Sequence, residues 1–444
     1  MQFRKHLHLL SWTASDKLLF LGYGIVTWLQ IRALPPEEYG LAAQLLTLQA
    51  WIAIVAEGSL LQSVIQYGHD EHNRNRANFL AFVLHTVFTL GVAAIIALAK
   101  EPLSRVFDEP RFGDVASVLP LYCLLGIPRS YALKLLQREL RARDVFLTNA
   151  AWLGTSTLLT MSKLISGTLH SFSDMALIAC AGMAAGSVVG LILAADLLRW
   201  SRHGSLTLGM VLRFSSPQAL MMAMATSIRQ LDIFLVQLFY STRTVGIYNA
   251  AKMLYRVFET GADAAVWLMY PTAVRLLHEQ RQQALQSIIG KALVLQIAIA
   301  LACVGILELG GTSVLVGFLG SRYAETTAMF NVMAVGAVFL PLVMLQSVHL
   351  ALHRVERLLS ITAIGVGAAM VSYVVVGRFG PDWLIGIGVV VYAAVVALLL
   401  WYPLRRDGII EPGTIGRAFA EIRAGLVAMA SRIRIIPRSD EHAS

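Results

Sequence analysis

The chain has 444 residues, of which 57% are hydrophobic and only 14% charged, with a mean hydropathy of +0.66. That balance excludes an ordinary soluble domain, and once the apolar stretches are set aside no soluble catalytic domain remains. A net charge of +9 would suggest nucleic acid in a soluble protein, but here the basic residues sit in short loops between apolar stretches, so no nucleic-acid partner is expected.

The first twelve residues carry Arg4 and Lys5 without a long apolar core or a small-residue cleavage site, and read as an uncleaved amphipathic lead-in. Twelve apolar spans then follow, at 13–32, 41–66, 78–99, 115–136, 145–167, 174–198, 217–240, 246–273, 288–310, 326–350, 358–378 and 383–402. Each is long enough to cross a hydrocarbon core of roughly 30 Å. An even count puts both termini on one side. Loops and ends on that side hold 22 Lys and Arg against 8 on the other, which predicts cytoplasmic termini. Cys123, Cys180 and Cys303 lie far apart within spans and outline neither a disulfide framework nor a metal site.

The longest central break, Trp200 to Ser216, contains Leu206, Met210 and Leu212 to Phe214, a pattern for a short interfacial helix. Beyond the last span, Thr414 to Ile436 alternates arginine with Ile415, Phe419, Ile422, Leu426 and Met429. This predicts a basic amphipathic helix on an anionic leaflet, with a disordered end after Pro437. The expected organisation is an N-terminal six-helix lobe (1–200), a linker (201–216), a C-terminal six-helix lobe (217–402) and a basic tail (403–444).

The halves repeat. Gly40 opens the second span and Gly246 the eighth, each with an acid seventeen residues on, Glu57 and Asp263. Later, Leu136-Gln137-Arg138 matches Leu352-His353-Arg354. Equivalent spans are six apart, so the repeat is parallel, and it predicts an all-α fold of two lobes around a central cavity. Gly182, Gly186 and Gly190 recur every four residues, a stripe for close helix packing. Pro120, Pro128, Pro271 and Pro341 can kink spans. His85 and His349 read as packing residues, and the short loop with Asp108 and Glu109 beside Arg105 and Arg111 reads as a solvated turn.

Charge inside the spans is the functional signal. Lys252, Arg256, Glu259 and Asp263 follow at spacings of four, three and four. At about 100° per residue they share one helix face. Arg229 and Asp232 share another on the preceding segment. At roughly 2.5–3.5 kcal/mol per charge at the bilayer centre, these groups are expected to face a cavity or a partner rather than lipid. Ion pairing within the bundle is the structural reading, and a basic set seeking an anion is the functional one. Lys252, Arg256 and Arg229, with Arg129 and Lys134 of the fourth span, are the candidate anion contacts. Asp232, Glu259, Asp263 and Glu57 are candidates for a coupling proton or sodium ion, or for counter-charge.

At the first loop, Arg32-Ala33-Leu34-Pro35-Pro36-Glu37-Glu38-Tyr39-Gly40 resembles a signature of the polysaccharide transporter family, which includes Wzx-type O-antigen flippases. Pro35 stands where the family usually has glycine. Asp232-Ile233-Phe234-Leu235 and Val245-Gly246-Ile247-Tyr248-Asn249-Ala250-Ala251 resemble the family as well. The resemblance spans nearly the whole chain. It implies a bacterial inner-membrane protein of the multidrug/oligosaccharidyl-lipid/polysaccharide exporter (MOP) superfamily. Its implied activity is flipping a polyprenyl-diphosphate-linked oligosaccharide from the cytoplasmic to the periplasmic leaflet, not an enzymatic reaction. The implied partners are lipid-linked oligosaccharide, membrane lipids and polysaccharide biosynthesis enzymes, and no cofactor is implied. The alternatives are a MATE-like drug or ion antiporter and a membrane glycan polymerase or ligase.

Overall fold

In the computed structural model, residues 2–434 are described apart from His69 and His353, and no strand occurs among them. The expected disordered end lies outside the described residues, as does the side chain of Asp263. The helices, in chain order, are α1 (Gln2–Ala33), α2 (Pro36–Ser59), α3 (Gln62–Tyr67), α4 (Glu71–Leu98), α5 (Lys100–Val106), α6 (Phe112–Arg138), α7 (Ala142–Ile165) and α8 (Phe172–Leu193). They continue with α9 (Leu208–Gln230), α10 (Asp232–Phe239), α11 (Thr242–His278), α12 (Gln282–Leu319), α13 (Thr326–Ala337), α14 (Leu340–Val343), α15 (Gln346–Ala351), α16 (Val355–Phe379), α17 (Ile387–Arg406) and α18 (Thr414–Arg434). Every expected span falls on a helix or on a broken helix: α2 with α3, α9 with α10, and α13 through α15.

Among the described residues, seven helices are long and apolar enough to cross a membrane, or eight if the bent pair Thr326–Ala337 and Leu340–Ala351 counts as one. That pair bends by 45° just ahead of Pro341, which lacks the N–H needed to continue the ladder. Apolarity and burial part company on these helices. The apolar window of Glu71–Leu98 has a mean hydropathy of 2.3, yet only 28% of it is buried inside the protein. Leu98, Ile165 and Phe379 are each at least 85% exposed. Surfaces of this kind are stable against lipid, not water.

Local chemistry sets the helix starts. Ser171 and Asp174 form a reciprocal capping box on α8, Asp70 caps α4, and Pro36 stands at the first turn of α2 where its missing N–H costs nothing. One expectation fails here. The segment around Leu206 to Phe214 is not a separate interfacial helix, because Thr207 caps α9 and the helix runs from Leu208 through Pro217 to Gln230. Met210 and Leu212 to Phe214 thus lie in the first turns of α9.

The chain forms two compact units. The first comprises the chain to Ala250 with Ser313–Thr327 and Tyr373–Ile385; the second comprises Ala251–Thr312, Ala328–Ser372 and the chain from Gly386. The boundaries pass through α11, α12, α13 and α16. In the first unit α8 packs on α6 and α7, α1 on α7, α4 on α6, and α2 on α9. In the second, Met269, Leu293, Leu345, Leu400 and Ile410 belong to one buried cluster.

Candidate functional site

Two constructions in the first unit bring polar chemistry together. The first lies where the loop between α1 and α2 meets the start of α11. A Cβ on Gly40 would collide with the Thr242 carbonyl oxygen and stand 3.2 Å from the Gly246 nitrogen. A Cβ on Gly246 would collide with the Pro36 carbonyl oxygen and stand 2.8 Å from its carbon. Thus the two repeat-equivalent glycines touch, each giving up a side chain so that the other's backbone can approach.

Polar contacts ring this crossing. Arg243 donates to Glu37 and Glu325, both at 3.2 Å, and those carboxylates push the guanidinium pKa further up. Asn249 donates to the Tyr39 hydroxyl at 2.8 Å, and Tyr323 to the Leu34 carbonyl at 3.3 Å. Arg111 grips Glu38 through two hydrogen bonds of 2.5 and 2.9 Å, and Glu38 also accepts from the Phe172 N–H at 2.7 Å. Glu109 accepts from the Thr242 hydroxyl. The loop read as a solvated turn is therefore stitched into the crossing; its charges look self-sufficient in sequence because their partners lie 73 and 133 residues away.

The second construction surrounds Arg129, a residue only 8% exposed inside α6. Pro128 precedes it, and the Arg129 N–H donates to the Ser187 hydroxyl at 3.1 Å, which itself donates to the Leu125 carbonyl. A hydroxyl from α8 thereby ties two backbone groups of α6, one on either side of Pro128, to the neighbouring helix. The guanidinium donates to Asn149 at 2.6 Å and lies 4.0 Å over the Trp152 ring; Asn149 donates in turn to Asp16 at 2.7 Å. Gly186 makes room for this, since a Cβ there would press on Trp152 and the Arg129 stem. Gly182 meets Ser156 and Trp152, and Gly190 meets Thr148 and Ala132, so the glycine stripe is a packing surface. One residue on, the Ser130 hydroxyl donates to Glu57, and Lys134 reaches Gln62 at 3.4 Å.

The remaining expected site residues are distributed as follows. Asp232, 1% exposed, opens α10 and accepts from its neighbour's N–H at 2.9 Å and from the Tyr248 hydroxyl at 2.6 Å; Tyr248 also contacts the Tyr373 hydroxyl at 2.8 Å. Arg229 is exposed at the end of α9, just ahead of the break at Leu231. In the second unit, Lys252 is 4% exposed, Glu259 is half-buried and Arg256 is exposed, all on the single helix α11. Of the histidines, His349 bonds the Leu400 carbonyl at 2.9 Å as a packing residue, and His85 is buried. Asp16, Asn149, Ser130 and Ser187 were missed as partners. The available signal was small polar side chains inside apolar spans, each of which needs a bond.

A family model described as "Polysaccharide biosynthesis protein" matches residues 31–328. No curated protein matches the chain. Among solved structures, the Lipid II flippase MurJ in an inward closed conformation aligns with a TM-score of 0.72 at 10% identity, covering 96% of this chain and 93% of that one. An inward-facing multidrug resistance MATE family transporter of the MOP superfamily aligns at 0.69 and 15% identity, covering 87% and 94%. An outward-facing transporter of that kind aligns at 0.56 and 15% identity, covering 90% and 94%.

Proposed function

Because this chain belongs to the polysaccharide biosynthesis protein family, as a multi-pass membrane protein with the MOP-superfamily fold, we propose that it flips a polyprenyl-diphosphate-linked oligosaccharide. The direction is from the cytoplasmic to the periplasmic leaflet of a bacterial inner membrane, with both termini cytoplasmic. The diphosphate and sugars cannot enter hydrocarbon, whereas the polyprenyl tail never needs to leave it. A protein that offers basic side chains to a wet, shielded path removes the barrier for the head alone. The observation that carries this reading is the family match together with cations inside apolar helices.

Lys252 and Arg256 on α11 are assigned to the anionic head, with Arg229, Arg129 and Lys134 as further anion contacts. An exposed Arg256 well inside a long helix of a membrane protein is costly against lipid, which supports a wettable surface there. Asp232, Glu259, Asp263 and Glu57 are assigned to a coupling proton or sodium ion, or to counter-charge. Alternating access would come from rocking one lobe against the other. Polysaccharide biosynthesis enzymes are the expected suppliers and consumers of the substrate. The second reading, a drug or ion antiporter, is supported by the MATE alignments, and the basic residues favour an anionic cargo over it.

Native mass spectrometry on lipid nanodiscs tests the site. Lys252→Ala with Arg256→Ala is expected to weaken a polyprenyl diphosphate by at least about tenfold, roughly 1.4 kcal/mol, while leaving the neutral polyprenol unchanged. Equal affinities for the diphosphate in wild type and variant would remove these residues from the site.

A further inference from the structure

We propose that α18 is a lipid-binding element, bolted to α12, that lays an apolar stripe into the adjoining leaflet and recruits anionic phospholipid headgroups. Two glycine turns set its position. After α17 ends, Gly408 takes φ 70°, its N–H bonds the Arg405 carbonyl at 3.2 Å, and the next N–H, of Ile409, bonds the Leu404 carbonyl at 2.9 Å. Ile409 and Leu404 both enter the buried cluster of the second unit. The Gly408 carbonyl accepts from Gln282 and Gln286 at 2.8 and 3.1 Å, which ties the turn to the first turns of α12. Gly413, with φ 90°, then leads into Thr414, whose hydroxyl accepts from the Glu411 N–H at 3.2 Å. Helix α18 therefore begins where two apolar spans, Gln282–Ala302 and Asp382–Arg406, reach their polar ends.

One face of α18 is already occupied. A Cβ on Gly290 would stand 2.9 Å from both the Ala418 Cβ and the Thr414 carbonyl oxygen, so the two helices cross at that glycine. Glu421 bonds Lys291 at 2.7 Å and Ser287 at 3.1 Å on either side of it. With about 100° of rotation per residue, Ile415, Phe419 and Ile422 fall within about 60° of one another, beside this docked face, with Phe419 turned furthest from it and Ile422 half-buried at its edge. Phe419 is 60% exposed and Ile415 39%. Arg423 lies about 40° beyond Phe419, at the border of the stripe.

Charge selects the occupant. Arg417 is matched by Glu411 at 2.7 Å, whereas among the described residues no carboxylate pairs with exposed Arg405, Arg406 or Arg423. An apolar stripe bordered by unmatched arginine, fixed at the end of membrane-crossing helices, complements the acyl boundary of a leaflet and its anionic headgroups. Because Glu421 and Gly290 hold α18 to α12, lipid contact at the stripe bears directly on the start of that span.

The test uses the full chain, with native cysteines replaced by serine, in nanodiscs of phosphatidylcholine with or without phosphatidylglycerol. A fluorophore is placed at Phe419→Cys or, about 160° around the helix, at Arg417→Cys, and lipids carry a nitroxide near the headgroup. Quenching is expected to be stronger at 419 than at 417 and to rise with phosphatidylglycerol. Arg423→Gln should lower the bound-to-free ratio about fivefold. Equal quenching at the two positions, or none that depends on lipid charge, overturns the proposal. Hydrogen exchange over 414–424 in the unmodified protein gives the same decision without any substitution: slower exchange in anionic discs is expected, and identical exchange refutes it.

Discussion

Replacing Gly246 with alanine probes the crossing of α2 and α11 directly. The added Cβ collides with the Pro36 carbonyl oxygen and stands 2.8 Å from its carbon, and neither is a flexible side-chain tip that can swing aside. Overpacking of this kind costs roughly 1–3 kcal/mol, offset by the roughly 0.5–1 kcal/mol that alanine returns to a helix interior. The net loss, at most about 2.5 kcal/mol and centred on about 1–1.5, lowers the folded-to-unfolded ratio by a factor of about 5–13. Gly91, inside α4 with nothing within 4 Å of an added Cβ, is the matched control and should be neutral or slightly stabilising as alanine. The assay is electron–electron distance measurement between spin labels on exposed Glu101 and Ser321, paired with thermal denaturation. Longer distances and a lower midpoint in Gly246→Ala, absent in Gly91→Ala, are expected. If both variants behave alike, the glycines do not hold the crossing.

Ser187→Ala removes the hydroxyl that bridges the Leu125 carbonyl and the Arg129 N–H, and should destabilise by about 1–3 kcal/mol in thermal or denaturant unfolding, since each backbone group loses a hydrogen bond to the neighbouring helix. Arg129→Leu should be less stable than wild type and should reduce transport more than Arg129→Lys, because lysine keeps the charge but loses the planar contact with Trp152 and Asn149; equal transport in the two variants would contradict this. Arg354 holds the Asp407 carboxyl below its ordinary pKa. The stabilisation from that pair is therefore full above the unfolded-state value and disappears as pH falls through the folded one. A double-mutant cycle at the two positions should show coupling at neutral pH that vanishes in acid and shrinks with salt.

Much of the fold is legible in sequence because lipid imposes a simple condition: long apolar helices with their backbone bonds closed internally. The bend before Pro341, the packing role of Gly182, Gly186 and Gly190, and the amphipathic α18 all follow from local residue chemistry. What local pattern cannot reveal is which distant groups meet. Gly40 and Gly246 are recognisable as repeat markers, yet their mutual contact depends on tertiary docking. Arg129 is recognisable as a buried cation, but Asp16, two hydrogen bonds away, joins the network through a contact 133 residues apart in sequence. The opening of α9 misleads for the opposite reason: Ser215, Ser216 and Pro217 look like a break, and the helix passes through them.

Leaflet sidedness of a polyprenyl diphosphate oligosaccharide in proteoliposomes tests the proposed function most directly. Vesicles containing the wild-type chain should move the lipid between leaflets faster than empty vesicles, and the Lys252→Ala, Arg256→Ala variant, folded and inserted to the same extent, should lose that gain. Rates no faster than those of empty vesicles, in a preparation that does transport a cationic drug, would contradict the flippase and favour the antiporter.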